Sequence, residues 1–165
     1  MQSVLLLCGL PFAGKTTVAR ELRERLDATV ISLDAINAER GLQGGEGIPV
    51  EEWQRSHRIA LARLAEALQA GNRLVVIDDT NCLRFLRDDY REVARRLGAA
   101  AHVLLLPADE EEVTRRLRQN RDSATRNDVR DEVYAATVDR FEWPGDDESP
   151  LVWSGVVDLL DRLPH

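Results

Sequence analysis

An apolar run, a glycine-bounded turn and an amphipathic stretch follow one another at the start of the chain, and this order limits the folds open to it. Val4-Leu5-Leu6-Leu7-Cys8 has no polar alternation. Such a run is a strand covered on both faces, as in a parallel sheet. Lys15 to Leu26 then sets Val18, Ala19, Leu22 and Leu26 on one side of a helix. Parallel strands need long crossovers, usually helical, and strand–turn–helix is how such a crossover begins.

The remainder repeats the alternation. Strands are expected at Thr29–Leu33, Arg73–Asp78, His102–Leu106 and Leu151–Trp153. Helices are expected at Val50–Ala70, Phe85–Leu97, from Asp109 onward, Val129–Phe141 and Val156–Leu163. Asp109 and Glu112 have capping-box spacing, and Glu110-Glu111-Glu112 suits a helix N-terminus better than a metal site. Ala35–Pro49, with Gly41, Gly44, Gly45 and Gly47, reads as an irregular surface loop. The expectation is one doubly wound α/β domain over residues 1–165, with five mostly parallel strands.

The turn itself is chemically specific. Gly9-Leu10-Pro11-Phe12-Ala13-Gly14-Lys15-Thr16 fits the phosphate-binding pattern G-x-x-x-x-G-K-[ST], with an apolar strand before it and a helix, beginning Lys15-Thr16-Thr17, after it. Glycines let successive N–H groups turn toward phosphate oxygens, and the helix N-terminus adds positive character. Lys15 is the sole lysine among 22 lysine and arginine residues. A compact ammonium fits between β- and γ-phosphates where a broad guanidinium does not. The Thr16 hydroxyl is the expected protein ligand for Mg²⁺. Together these point to ATP as phosphate donor and Mg²⁺ as its metal.

Three further groups belong at the carboxyl ends of the strands, where open parallel sheets collect ligands. Asp34 follows the second strand and is either a proton acceptor for an attacking hydroxyl or a turn and cap residue. Asp78-Asp79-Thr80-Asn81 ends the third strand. Alternation sends the two carboxylates to opposite faces, and Asp79 is favoured as an acceptor or water-mediated Mg²⁺ contact. Arg115, Arg116, Arg118, Arg121, Arg126 and Arg130 crowd the stretch 115–130. Some are solvated, but phosphoryl transfer needs cations over the γ-phosphate, and a mobile lid can supply them. Trp53 and His57, four apart on a helix face with Leu61, Leu64 and Leu68, are core residues or the lining of an acceptor pocket.

Bulk properties narrow the class. The net charge is −7, which disfavours long-range attraction to nucleic acid or anionic membrane. Cys8 and Cys82 lack metal-ligand spacing and read as small buried hydrophobes. No stretch approaches the roughly 20 apolar residues of a membrane span, nor does a signal core precede the first strand. A cytoplasmic location is expected.

Nearly the whole chain resembles small P-loop kinases of the 5′-polynucleotide kinase type and their zeta-toxin-like and chloramphenicol-phosphotransferase-like relatives, an AAA-type ATP-binding kinase domain. The likeness rests on residues 9–17, Ser32-Leu33-Asp34, Asp78-Asp79-Thr80-Asn81 and the later arginines. It implies a nucleoside-monophosphate-kinase-like P-loop NTPase fold with an arginine-bearing lid near 115–130. It implies that Asp34 is the general base and that Asp79 and Asn81 shape the acceptor side. It makes Arg121 the catalytic lid arginine, ahead of Arg118 and Arg126. Polynucleotide kinases commonly carry arginine three residues after the base; here Asn37 stands there, with Arg40 three further on. The expected activity is ATP- and Mg²⁺-dependent transfer to a hydroxyl acceptor, either a polynucleotide 5′-hydroxyl or a small-molecule alcohol. The alternative is an ATP-binding regulatory or interaction module with little turnover.

Overall fold

The computed structural model describes residues 1–42, 47–107, 110–123 and 131–163. Five strands, β1 (Ser3–Cys8), β2 (Thr29–Ser32), β3 (Leu74–Asp78), β4 (Ala100–Leu105) and β5 (Leu151–Val152), form one sheet in the order β2-β3-β1-β4-β5. Every pairing is parallel. The expected doubly wound sheet is therefore present, and wholly parallel among the described residues.

Each face of the sheet has its own helical cover. Leu5, Leu7, Val76 and Leu104 pack under α1 (Lys15–Leu26) and α7 (Val156–Arg162), through Val18, Ala19, Leu22, Val156 and Leu159. Val4, Leu6, Val75, Ile77 and Val103 pack on the other face. Their cover is α2 (Leu33–Glu39), α3 (Val50–Gln69) and α4 (Arg84–Arg96), with Tyr134 and Val138 of α6 (Asp131–Arg140). Adjacent residues of β1 thus serve opposite cores, which is why that strand carries no polar alternation.

One expected loop is partly helical. Residues 33–39 form α2, not the start of an irregular segment. The Ser32 hydroxyl accepts from the Ala35 N–H at 3.3 Å and caps the helix. Leu33 and Ile36, three apart, are buried. At the C-terminal end Leu42 N donates to Asn37 O at 2.8 Å, and Gly41 takes φ +74°. That is the six-to-one closure with a left-handed glycine that ends helices. The glycines downstream masked two turns of helix. The expected cap Asp109 lies outside the described residues, as do Gly44, Gly45, Arg126 and Arg130. α5 spans Glu110–Ser123. Among the described residues no helix is long and apolar enough to cross a membrane.

A buried ion pair, not foreseen from the sequence, fastens the C-terminal part to α4. Arg87 is fully buried and donates to Glu148 through Nε at 2.9 Å and Nη2 at 2.6 Å. Arg91 adds a second guanidinium to the same carboxylate. Glu148 belongs to one 3₁₀ turn at Asp146–Glu148, and its side chain is 1% exposed. Burial pushes its carboxyl up, but the hydrogen bonds from Arg87 and Arg91 prevail and hold it down at about 2. A carboxyl depressed in the folded state stabilises the fold above the unfolded value of 4.5; that contribution fades as pH falls toward about 2. Glu148→Gln leaves Arg87 buried without its counter-charge, for an expected loss of about 3–5 kcal/mol in urea unfolding at neutral pH. The gap between wild type and variant should narrow as pH drops below the ordinary carboxyl range.

Candidate active site

The glycine-bounded loop joins β1 to α1, and its backbone accounts for its residue choice. A Cβ on Gly9 would lie 3.1 Å from the Leu106 carbonyl oxygen and 3.3 Å from the Ala13 Cβ. Gly14 takes φ +96° as the residue before α1, where any side chain is strained, and its Cβ would meet Arg116 Nη1 at 3.2 Å. Phe12 also has positive φ, +64°, without glycine's freedom, a conformation that costs on the order of 1 kcal/mol. Leu10 is buried and accepts from Ala13 N at 3.1 Å; Pro11 is half-buried beside it.

Lys15 is 9% exposed, and Nζ donates to the carbonyls of Gly9 at 2.8 Å and Leu10 at 2.7 Å. Burial lowers its ammonium below the ordinary value, while Asp79, Asp78 and Asp34 oppose that shift. These three carboxylates surround the loop because of strand order. β3 lies between β2 and β1, and Ser32 is level with Asp78. Residues just past the ends of β2 and β3 therefore meet at the mouth of the loop.

The two aspartates of β3 have different neighbours, as alternation requires. Thr16 is the side chain that most opposes the effect of burial on the Asp78 carboxyl. Asp78 is thus the carboxylate that Thr16, the metal-ligand candidate, acts on. Burial raises its carboxyl, with Thr16 and Lys15 pulling it back down. Burial raises the Asp79 carboxyl, and the Thr80 backbone, Lys15 and His57 oppose that rise while Asp34 adds to it. Among the described residues no group of three or more His, Cys, Asp or Glu could hold a metal by itself. A hydroxyl paired with one carboxylate suits Mg²⁺, which keeps most of its waters and takes its other ligands from phosphate. Thr16 and Thr17 are both exposed in the first turn of α1.

Asp34 stands exposed in the first turn of α2. Since Ser32 supplies the cap, the capping alternative is removed for Asp34 and its carboxylate is left to other work. Asn81 is fully buried at φ +46°, and its Nδ2 donates to Leu7 O at 2.7 Å. It ties the end of β3 to β1 from inside rather than lining the cleft. Asn37 is 4% exposed and accepts from the Ser56 hydroxyl. Arg40 donates to Glu52 O and Ser56 Oγ, each at 2.7 Å, and pairs with the Glu52 carboxylate. Asn37 and Arg40 thus brace α2 against α3.

Of the arginine stretch, Arg118 is exposed on α5, and the Arg121 side chain lies outside the described residues. Arg116, not singled out from the sequence, reaches the loop: Nη1 donates to Phe12 O at 3.0 Å. The signal was present, because Arg116 lies three residues after buried Val113 on the inner face of α5. His57 of α3 meets Asp89 of α4 at 2.9 Å and packs edge-to-face on Tyr90, ring centres 5.0 Å apart. Trp53 packs against the core on the α3 side.

Solved structures share this architecture. A gluconokinase from Sinorhizobium meliloti 1021 is 20% identical, with 91% of this chain and 81% of that one covered at a TM-score of 0.65. Kti12 of Chaetomium thermophilum, solved with ADP-AlF3, is 20% identical, with 91% and 88% covered and a TM-score of 0.66. A chain of the Pnkp1/Rnl/Hen1 RNA repair complex is 18% identical and matches 84% of this chain but 43% of its own length, at a TM-score of 0.69. At these identities the likeness is one of fold. No curated protein matches the chain. The sequence does match a family, over residues 4–144, that takes in the phosphate-binding loop, all but the last of the sheet's strands and the carboxylates around the loop. The chain belongs to the AAA domain family, with the five-stranded parallel sheet and flanking helices of the P-loop kinase-like fold.

Proposed function

We propose that this protein is an ATP- and Mg²⁺-dependent phosphotransferase that moves the γ-phosphate to a hydroxyl acceptor. The observation that carries the reading is Asp34. It is an exposed carboxylate relieved of capping by Ser32, at the mouth of a loop whose lysine is buried and ready for phosphate. In that role Asp34 takes the proton of the attacking hydroxyl. Lys15 exchanges the carbonyls of Gly9 and Leu10 for phosphate oxygens and neutralises charge on the transferring group. Thr16 and Asp78 would hold Mg²⁺, which when bound screens the β- and γ-oxygens from the nucleophile. Arg121, from a lid near 115–130, completes the clamp, and Arg118 serves the nucleotide side. Residues 1–165 act as one kinase domain, and the expected setting is the cytoplasm.

Asp34→Ala should bind ATP as wild type does but lose acceptor-dependent ADP release by about 10²–10⁴-fold, the usual worth of a positioned base. Unchanged release in that variant removes Asp34 from the chemistry. If wild type binds ATP yet no acceptor stimulates ADP release, the protein is a nucleotide-binding regulatory module instead. A second substitution tests the loop. The Lys15 ammonium fits between two carbonyls less than 3 Å away, a space too small for a planar guanidinium. Lys15→Arg, conservative in charge, should therefore cut kcat at least 10²-fold in a coupled ADP assay.

A further inference from the structure

Two residues of the phosphate-binding loop have left-handed backbone, and only one of them is glycine. Gly14 takes φ +96° and Phe12 φ +64°, with Ala13 of ordinary hand between them. Backbone of alternating hand turns successive N–H groups toward one concavity that receives an anion. Glycine holds such a position at no steric cost, but phenylalanine does not. A left-handed residue with a side chain persists only where its surroundings enforce it. The Phe12 side chain does not do so from the interior. It is half-buried and, among the described residues, belongs to neither core. The enforcement falls on the peptide that follows it.

That peptide, between Phe12 and Ala13, is held at both ends. Its N–H donates to Leu10 O at 3.1 Å, and its carbonyl accepts from Arg116 Nη1 at 3.0 Å. The first bond is internal to the loop. The second comes from α5, 104 positions along the chain. The guanidinium also lies against the second left-handed residue, since a Cβ on Gly14 would come within 3.2 Å of the same Nη1. A hydrogen bond from a charged donor is stronger than a neutral one. Relaxation of Phe12 to negative φ turns its carbonyl to a new direction and breaks that bond. The network extends to the lysine, because Leu10 O accepts from Lys15 Nζ at 2.7 Å as well as from Ala13 N.

We infer that Arg116 is a positioning residue: it sets the phosphate-binding loop in its receiving shape before nucleotide arrives, by enforcing the left-handed conformation of Phe12. This rests on the nucleotide-binding part of the reading above, and on neither the acceptor nor turnover. The test is a double-mutant cycle read by calorimetric titration with Mg²⁺ and ADP. Arg116→Ala should weaken ADP binding about tenfold or more, because the free loop then mostly occupies other shapes. Phe12→Asn should bind ADP at least as tightly as wild type, since asparagine tolerates the left-handed region. In that background Arg116→Ala should cost about threefold or less, the difference being the coupling between the two residues. A binding stoichiometry equal to that of wild type shows that each variant is folded. An equal loss in both backgrounds overturns the inference, for Arg116 then acts on the nucleotide and not through Phe12. Unchanged affinity in Arg116→Ala overturns it too, and both results leave phosphotransfer standing. A wild type that does not bind ADP removes the phosphotransfer reading and this inference together.

Discussion

The buried amide of Asn81 holds the two strand ends of the site in register. Its Nδ2 bonds the Leu7 carbonyl of β1 at 2.7 Å, and the neighbouring Thr80 carbonyl accepts from Gly9 N at 3.2 Å. The carboxylates at the end of β3 are thereby fixed against the first residue of the phosphate-binding loop. The tie is supported from below, for Arg87 donates to Asn81 O at 2.8 Å and is itself neutralised by Glu148. The 3₁₀ turn at Asp146–Glu148 is remote in sequence, yet it is one guanidinium away from the residue that positions Asp78 and Asp79. Fold stability and site geometry share that path, because a buried charge pair is tolerated only where its geometry is complete.

Lys15 illustrates how the loop waits for ligand. A buried ammonium needs acceptors, and the loop provides two of its own carbonyls. Three carboxylates oppose the desolvation that would otherwise discharge it. The same three are costly to keep close together, and burial raises both Asp78 and Asp79. The site is thus built from groups whose best partners are not one another. A polyphosphate would give the lysine the partner it lacks. Binding then rearranges existing hydrogen bonds instead of ordering a loose loop, which limits the entropy lost.

How much of this could be read from the chain depended on range. The strand–loop–helix opening was legible because its signals lie within a few residues: unbroken apolar strand, glycines at the turn, lysine at the helix start. The parallel sheet followed from alternation alone. α2 was missed because four nearby glycines outweighed a short capped helix whose stabilising contacts, Asn37 with Ser56 and Arg40 with Glu52, come from α3. Nothing local announces that Arg87 is buried by a glutamate 61 positions away. A faint trace existed, since Arg87, Tyr90 and Ala94 form one buried stripe on α4. Arginine in such a stripe signals a partner elsewhere, but not which one. Assigning Asp78 to Thr16 was equally out of reach, since alternation separates two faces without saying which faces the loop.

The distribution of cations gains a physical meaning from these contacts. Arg40 joins α2 to α3, Arg87 and Arg91 join α4 to the turn at Glu148, and Arg116 joins α5 to the phosphate-binding loop. In the first two cases a fork of N–H donors serves a backbone carbonyl and a carboxylate together. A lysine would offer a single point charge on a long flexible stem and could not brace two directions in one plane. The opposite demand holds at position 15. There the cation must let go of its carbonyls and take up phosphate without moving the backbone, and a compact head with rotatable donors does that best. A chain that braces its elements with forks has reason to keep its one ammonium where partners must change.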